Sequence, residues 1–315
     1  MQSPIYSLTE ENDGIFSHQD RHYTQGLMFA RSATPLAGGF WDGLAGNFGQ
    51  LTGWLGAGPA VERRYQWPIA GQSEFTPTNI KTFTPDPHDR PYAGWLYVGA
   101  GLMQRSDSGR IDHLQLLLGV VGPAALAKQV QDGFHAFAGY GQANGYSHQI
   151  GNEPGLVVSY QTIWDRPLVS LGPVQTDALP EIGITAGNVL TYGEIGFTLR
   201  AGQSLAAGGT PRTITPGLSG SGWFDPDKIN GAFGWMIYVG IQTRAVWRNL
   251  FLEGNSYKSS LSVEKRNFVT DADAGISLLF HFGLRVDISY IKRSREFSGQ
   301  VNDDRIGSVT LSTPF

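Results

Sequence analysis

Two groups of polar residues in this chain could carry chemistry, and the first is a pair with helical spacing. Gln131 and His135 lie four residues apart, so on a helix they share one face. A histidine titrates near neutral pH and can remove a proton from water, which would allow that water to attack an ester. The alternative is that His135 is only a surface or packed residue of the helix.

The second group is acidic. Glu10-Glu-Asn-Asp13 is followed a few residues later by Asp20-Arg-His-Tyr-Thr-Gln-Gly26. If the flanking segments pair as a hairpin, these residues gather at its tip, where their oxygens could bind a hard cation such as Ca²⁺. The alternative is a polar loop without a ligand.

Two further motifs have no chemistry of their own. Thr84–Trp95 is a proline-rich turn that leads into a strand with an interfacial tryptophan, and Gly145–Pro154 is a structured loop. The chain has no Gly-x-Ser-x-Gly, His-Glu-x-x-His or phosphate-loop signature. It also has no cysteine, which excludes disulfides, thiolate metal sites and a thiol nucleophile.

The elements that must position these residues are strands. Apolar and polar residues alternate over segments of about ten residues, a period and a length typical of strands that cross a bilayer. We therefore expect one face to meet lipid and the other to meet the lumen of a transmembrane barrel. The lipid-facing residues are predicted to include Trp235, Ile237, Val239, Leu284, Val286 and Ile288, and the lumenal residues to include Arg244, Arg285 and Asp287.

The pattern predicts an all-β fold, a single antiparallel barrel domain over residues 1–315 with about twelve strands, an even number as such barrels prefer. The strands are expected near 3–12, 22–32, 62–75, 92–105, 110–121, 149–164, 177–188, 191–201, 233–247, 270–281, 283–294 and 305–315. Short turns at 106–109, 187–188 and 282–283 contrast with long loops at 33–60, 202–231 and 248–269. We expect the short turns at one end of the barrel and the long loops at the other.

One connection is predicted to be a short extracellular loop helix, over about residues 124–138. Gly122-Pro123 precedes a run of helix-forming residues, and proline is favoured at a helix start. Leu126, Val130, Phe134 and Phe137 give this helix an apolar stripe. A single helix between barrel strands must pack on the barrel wall or in its mouth.

Composition agrees with this class. Only 16% of the residues are charged and the net charge is −4, so no basic surface for nucleic acid is expected. Glycine, at 42 of 315 residues, is about twice as frequent as in ordinary proteins, as tight turns and barrel strands require.

Taken together, several segments resemble the lipid A 3'-O-deacylase family of outer-membrane barrels. They occur in the family's order and cover nearly the whole chain. The segments are Asn12-Asp13, Asp20–Gly26, Asp89-Arg-Pro-Tyr-Ala-Gly-Trp-Leu-Tyr97, Gln131-x-x-x-His135, His148-Gln149 with Asn152-Glu-Pro154, and the stretch from Arg295-Glu-Phe297 to Phe315.

The resemblance implies a twelve-stranded barrel with its active site between the wall and an extracellular loop helix. It implies that His135 activates water while Asn12, Asp13, Thr24 and Gln131 shape the surroundings. It also implies a Ca²⁺ that stabilises the oxyanion, so that no serine nucleophile is needed.

The chain departs from the family at two positions. The family has a lysine before the Arg-Pro-Tyr motif, for which Lys81 is the candidate here. It also has a glutamate shortly after the histidine, where this chain has Gly139-Tyr-Gly-Gln142. Glu153 or the Glu10-Glu11 pair would then substitute, or the cation site is altered. The metal ligands expected on this basis are Asp13, Asp20 and Glu153.

The resemblance therefore implies a hydrolase of the bacterial outer membrane that removes the 3'-linked acyloxyacyl chain of lipid A. Its expected partners are lipopolysaccharide and outer-membrane lipid. The alternative is a barrel of the same family that has lost catalysis and acts as a pore or an adhesin.

Overall fold

The computed structural model describes residues 3–17, 21–139, 141–209, 213–214 and 222–315. Its strands are β1 Ile5–Asn12, β2 His22–Ala33, β3 Ala60–Thr76, β4 Ala93–Ser106, β5 Arg110–Val121, β6 Glu153–Trp164, β7 Arg166–Leu171, β8 Val174–Gly187, β9 Leu190–Gln203, β10 Phe233–Asn249, β11 Phe268–Phe280, β12 Arg285–Arg293 and β13 Asp304–Pro314. Its α-helices are α1 Gly14–Ser17, α2 Phe40–Trp54, α3 Ala127–Ala138 and α4 Leu250–Glu253.

Twelve of these strands close into a ring. Each pairs antiparallel with the next along the chain, β6 pairs with β8, and β13 pairs with β1. The short β7 continues the path of β6 after Asp165 and pairs with β8 alone in the described part of the sheet. The predicted all-β transmembrane barrel of twelve strands is confirmed, because these twelve strands pair in a closed ring.

The two faces of the barrel follow the predicted alternation. Ile237, Val239 and Ile288 project outward with 40–57% of their surface exposed, whereas Arg244, Arg285 and Asp287 are at most 2% exposed. Trp235, Leu284 and Val286 share the outward phase and are half-buried by their neighbours. The predicted lipid-facing and lumenal residues are therefore correct.

The lumen is filled by ion pairs. Buried arginines on the strands pair with buried aspartates in low-dielectric surroundings, where an unpaired charge would be costly. The pairs are Arg200–Asp177, Arg244–Asp271, Arg293–Asp271 and Arg285–Asp287.

Described parts of the segment between β9 and β10 also lie inside the barrel. Arg285 donates hydrogen bonds to the carbonyl oxygens of Gly209 and Trp223, at 2.8 and 2.9 Å. The Ile214 N–H donates to Glu11 Oε1 at 2.8 Å, near the opposite end of β1 from the point where the segment enters. The described parts of this segment thus plug the lumen.

The long connections lie at both ends of the barrel, so the expected separation of short turns from long loops is wrong. Antiparallel pairing puts 34–59 and 204–232 at the end that holds both chain termini, together with the short turns 107–109 and 281–284. We call this the termini end. The opposite end, the loop end, carries the two-residue turn 188–189 as well as the 122–152 connection.

Helix α2 was not predicted, because its sequence contains four glycines that disfavour a helix. Packing on the barrel wall overrides that preference. The Trp41 ring stacks on Tyr65 with the ring centroids 4.8 Å apart, and Gln104 Nε2 donates to the Thr52 hydroxyl at 2.5 Å. Within the described residues, no helix is both long enough and apolar enough to cross a membrane.

The outer face can be tested with an arginine near the middle of β10. Val239 is 57% exposed on the lipid-facing side, so Val239→Arg should lower the free energy of unfolding in lipid vesicles by about 2–4 kcal/mol. The control is Val301→Arg, the same substitution at an 81% exposed residue in the 294–303 connection. Equal effects of the two substitutions would contradict the assignment of the lipid-facing surface.

Candidate active site on the outer wall

A row of three polar residues and a glycine crosses the outer wall near the loop end. Asn12, Gln25, Glu74 and Gly94 are direct cross-strand neighbours on β1, β2, β3 and β4. They share the outward phase of their strands with exposed apolar residues such as Leu27. We call these four residues the polar row. Polar groups at this phase contrast with the apolar belt that continues along the same strands.

Hydrogen bonds fix the side chains around the polar row. Gln25 Nε2 donates to Glu10 Oε1 at 3.1 Å, and Asn12 Oδ1 accepts from the Gly14 N–H at 2.6 Å. Next to Gln25, β2 has an irregularity in register, where the Thr24 hydroxyl bonds the Thr76 hydroxyl at 2.6 Å. The predicted residues Asn12 and Thr24 therefore lie at the same part of the wall.

Helix α3 covers this part of the wall. A Cβ at Gly94 would lie 2.7 Å from the Ala127 Cβ, so the absence of a side chain lets the helix approach β4 closely. The helix contacts β4 and β3. Glu74 is only 1% exposed although it projects outward, as expected for a residue beneath a covering element.

The connections on both sides of α3 hold it in place. Gln72 Nε2 donates to the Ala125 carbonyl at 2.5 Å, and Asn152 Oδ1 accepts from the Ala124 N–H at 2.7 Å. Tyr92 packs on Tyr146 with ring centroids 4.5 Å apart, in a buried cluster that includes Ala127. The motifs 84–95 and 145–154 thus form the support of the helix.

The face of α3 that meets the wall is not its apolar stripe. Ala127, Gln131 and His135 are 1%, 1% and 4% exposed. The predicted stripe points away from the wall, because Leu126, Val130 and Phe134 are 48%, 39% and 41% exposed, and the side chain of Phe137 is outside the described atoms. The buried face of α3 thus consists of small and polar residues, with Ala127 against Gly94, while the apolar residues face the surroundings of the barrel.

The ring of His135 has a defined proton arrangement. Its Nδ1 lies 2.5 Å from the carbonyl oxygen of Gly141. Since a carbonyl oxygen can only accept, Nδ1 carries the proton, and in the neutral ring Nε2 then bears the lone pair. This is the tautomer in which Nε2 can act as a base.

The expected calcium ligands do not form one group in the described structure. The Arg21 N–H donates to Asp13 Oδ2 at 2.6 Å, and Asp20 lies outside the described residues. Glu153 Oε2 accepts from the Ser256 N–H at 2.8 Å and from Asn255 Nδ2 at 3.1 Å, which ties it to the 250–267 connection.

In the part of the chain that the structure describes, no three histidine, aspartate or glutamate side chains lie together in a way that could hold a metal ion. The described carboxylates therefore do not by themselves complete a calcium site. The three ligands stay predictions.

Lys81 lies in the 77–92 connection with its side chain exposed, not in the polar row. Its carbonyl accepts from Asn144 Nδ2 at 3.0 Å, which joins this connection to the segment after α3. A catalytic role for Lys81 stays a prediction.

Other residues of the quoted motifs close the loop end. His22 Nδ1 lies 2.7 Å from Asp304 Oδ1, and its Nε2 lies 3.7 Å from Asp89 Oδ1. Arg90, fully buried, pairs with Glu296 at 3.2 Å. Burial opposes ionisation of Asp89, but hydrogen bonds from His22 and Thr78 outweigh it and lower the pKa of Asp89 to about 2. These residues link β2, the 77–92 connection and the 294–303 connection.

Sequence reasoning missed Gln25 and Glu74 as members of the site. The sequence contained a signal for them, because both are polar residues at positions where the alternation of the predicted strands places apolar, lipid-facing residues. A polar residue at such a position needs a cover, and the loop helix provides it.

Comparisons with known proteins were made for the whole chain. The profile of a family described as outer membrane protein LpxR matches residues 1–315. The structure of LpxR from Salmonella typhimurium is similar, with a TM-score of 0.78 and 17% identity over 99% of this chain and 100% of that one. The β domain of the Bordetella autotransporter BrkA gives a TM-score of 0.47 at 11% identity, with 99% of each chain covered. A comparison with curated protein sequences finds none that matches.

The seat of α3 can be tested with a single methyl group. Gly94→Ala places a Cβ against Ala127 and Ala125, and overpacking of about 1–3 kcal/mol would raise the population of detached helix about 5- to 150-fold. Tryptic cleavage after Lys128 in the folded barrel should accelerate accordingly.

Gly133→Ala is the matched control, because a Cβ there meets nothing within 4 Å. If Gly94→Ala is cleaved no faster than Gly133→Ala, the helix does not sit on Gly94.

Proposed function

The chain belongs to the family of the outer membrane protein LpxR, and from that premise we propose that it hydrolyses the 3'-linked acyloxyacyl ester of lipid A. The barrel lies in the bacterial outer membrane. The loop end, with α3, would face the cell exterior, where lipid A forms the outer leaflet. The substrate would then reach the site sideways, from the membrane.

The observation that carries this proposal is the position of His135. A buried histidine with its lone pair on Nε2 lies on a helix that covers polar groups on the outer wall. If the active site were in the lumen, a buried basic histidine on the outer wall would have no role in it. A site on the outer wall suits a substrate that remains in the membrane.

The surroundings suit an amphiphilic substrate. Below the polar row, the outer faces of β2 and β4 carry Leu27, Leu96 and Val98, all exposed. Leu126, Val130 and Phe134 on α3 add a second apolar surface. Acyl chains could lie along these surfaces while the ester reaches the polar row.

The reaction follows from the tautomer of His135. Nε2 removes a proton from a water molecule, and the water oxygen forms a bond to the ester carbonyl carbon. When the tetrahedral intermediate collapses, the bond from that carbon to the sugar oxygen breaks. The proton on Nε2 goes to that oxygen, so the products are a fatty acid and a free 3'-hydroxyl. Hydrogen bonding of Nδ1 to Gly141 keeps the ring oriented throughout.

The other predicted residues would hold the reactants. Gln131 lies one turn before His135 on the buried face, from which its amide can orient the water. Asn12, Asp13 and Thr24 supply polar groups on the adjoining wall and hairpin. The Ca²⁺ that the family implies would supply electrophilic assistance to the carbonyl oxygen when bound.

A pore is the alternative that the fold argues against. The lumen is crossed by arginine–aspartate pairs and occupied by described parts of 204–232. A water-filled channel would need those groups displaced. The helix-covered site also has no use in a passive barrel or an adhesin.

Removal of the base is the most direct test of this mechanism. His135→Ala should reduce lipid A deacylation about 10²-fold or more, as expected for a lost general base, while the barrel remains folded. The product is measured by mass spectrometry of lipid A after incubation with the purified protein. His281→Ala, at an exposed position of the termini end, serves as the control. Near-normal turnover by His135→Ala would show that another residue is the base.

The cation is tested separately. Chelation of Ca²⁺ should abolish turnover, and added Ca²⁺ should restore it, because carboxylate and amide oxygens select hard cations. Asp13→Asn should raise the Ca²⁺ concentration needed for half-maximal activity. Full activity after exhaustive chelation would remove the cation from the mechanism.

A further inference from the structure

We infer that Glu74 is a positioning residue of the outer-wall site, whose carboxylate stabilises the protonated form of His135. This inference rests on the proposed function for its catalytic consequence. The structural argument is independent of it, because it starts from where Glu74 lies.

Glu74 is an acidic residue on a membrane-facing phase of the barrel. Its direct neighbours on that face are Gln25 on β2 and Gly94 on β4. A carboxylate that faces lipid costs free energy unless another element covers it and polar groups surround it. Glu74 is covered, at 1% exposure.

The covering element carries two polar residues on its buried face. Ala127 sits at Gly94 on β4, and α3 also contacts β3, so the helix runs from β4 toward β3. Neighbouring strands are about 4.8 Å apart, and each four-residue step along a helix advances about 6 Å. If the helix axis keeps this direction, one step from Ala127 brings Gln131 over β3, where Glu74 lies, and a second step brings His135 toward β2.

On this path Glu74 would lie about one strand spacing from the histidine that gains a proton in the reaction. At that separation an opposite charge favours the protonated imidazole, and the effect is strengthened where water is excluded. The carboxylate would stabilise the imidazolium as it forms. That is a contribution made in the transition state and not in the ground state.

The other charged groups near α3 are less suited than Glu74 to stabilise protonated His135. β4 offers only Gly94 and Leu96 on the covered face, and β2 offers Gln25 and Thr24. On the helix itself Lys128 and Asp132 pair with each other. In the 77–92 connection Lys81 is exposed and Asp89 faces His22. Among the described residues of β1 and the connection that follows it, Glu10 and Asp13 are the remaining carboxylates near this face, and Glu10 accepts a hydrogen bond from Gln25.

The test compares Glu74→Gln with Glu10→Gln, both of which keep size and hydrogen-bonding capacity. The midpoint for protonation of His135 is measured by NMR in the folded barrel, with the signal assigned by its loss in His135→Ala. Glu74→Gln should move that midpoint to lower pH by about one unit. Glu10→Gln should move it clearly less.

Activity gives the second readout. In Glu74→Gln the acid limb of kcat/KM should move to lower pH by the same amount, and the rate at the optimum should fall about tenfold, because a weaker base transfers the proton less readily. Glu74→Asp should restore part of both. A merely structural role would lower the rate without moving the acid limb.

An unchanged NMR midpoint in folded Glu74→Gln would overturn the inference, whatever the activity. A shifted midpoint in a protein that never deacylates lipid A would support the placement of Glu74 and contradict the proposed function alone. The two failures are therefore distinguishable.

Discussion

The membrane allows a strand to exist only if every backbone N–H and C=O is paired, and the rest of this structure follows from that requirement. Closure of twelve strands satisfies it, and closure then leaves two places for polar side chains. They can point into the lumen, or they can point outward beneath a cover. The lumen holds buried arginine–aspartate pairs, of which three described pairs join neighbouring strands and Arg285–Asp287 lies within β12. Polar groups on the outer wall occur where a helix lies over them.

Two helices provide such covers. α3 lies over the polar row at the loop end. At the termini end, α2 lies over Gln104. Close by, the outward-facing side chain of Asp112 is fully buried and accepts a hydrogen bond from Arg110 Nη2 at 2.8 Å. A helix on a barrel wall thus creates a small region shielded from both lipid and water. In such a region charges interact more strongly than they do in water.

Much of the fold could be predicted from the sequence because lipid and lumen impose alternation on each strand. Val286 and Arg285 are assigned to opposite faces by phase alone. The arrangement of the connections could not be predicted in this way. Nothing in the sequence of 202–231 indicates that its described parts lie in the lumen, because their partners there, such as Arg285, are on distant strands. α2 could not be predicted, because its four glycines favour a loop over a helix and its stability comes from contacts with the barrel wall.

The candidate site shows the same division. The spacing of Gln131 and His135 places them on one helical face, and the family resemblance implies that this face forms the active site. The sequence alone, however, favours the apolar stripe as the surface that packs on the wall. In the structure the polar face is the buried one, because the wall presents Glu74 and Gln25 at positions where apolar residues would be expected. Partners on other strands decide which face is buried, and cross-strand register is not visible in a single sequence.

We propose that lipid A is held on the outer wall beneath α3 and not in the lumen. Photo-crosslinking tests it most directly. A photoreactive amino acid replaces Gln25 in the His135→Ala variant, and the protein is irradiated in vesicles that contain lipopolysaccharide. The account predicts a covalent adduct with lipid A from position 25, and none from the same probe at the buried lumenal residue Thr310. An adduct from Thr310 with none from position 25 would contradict it.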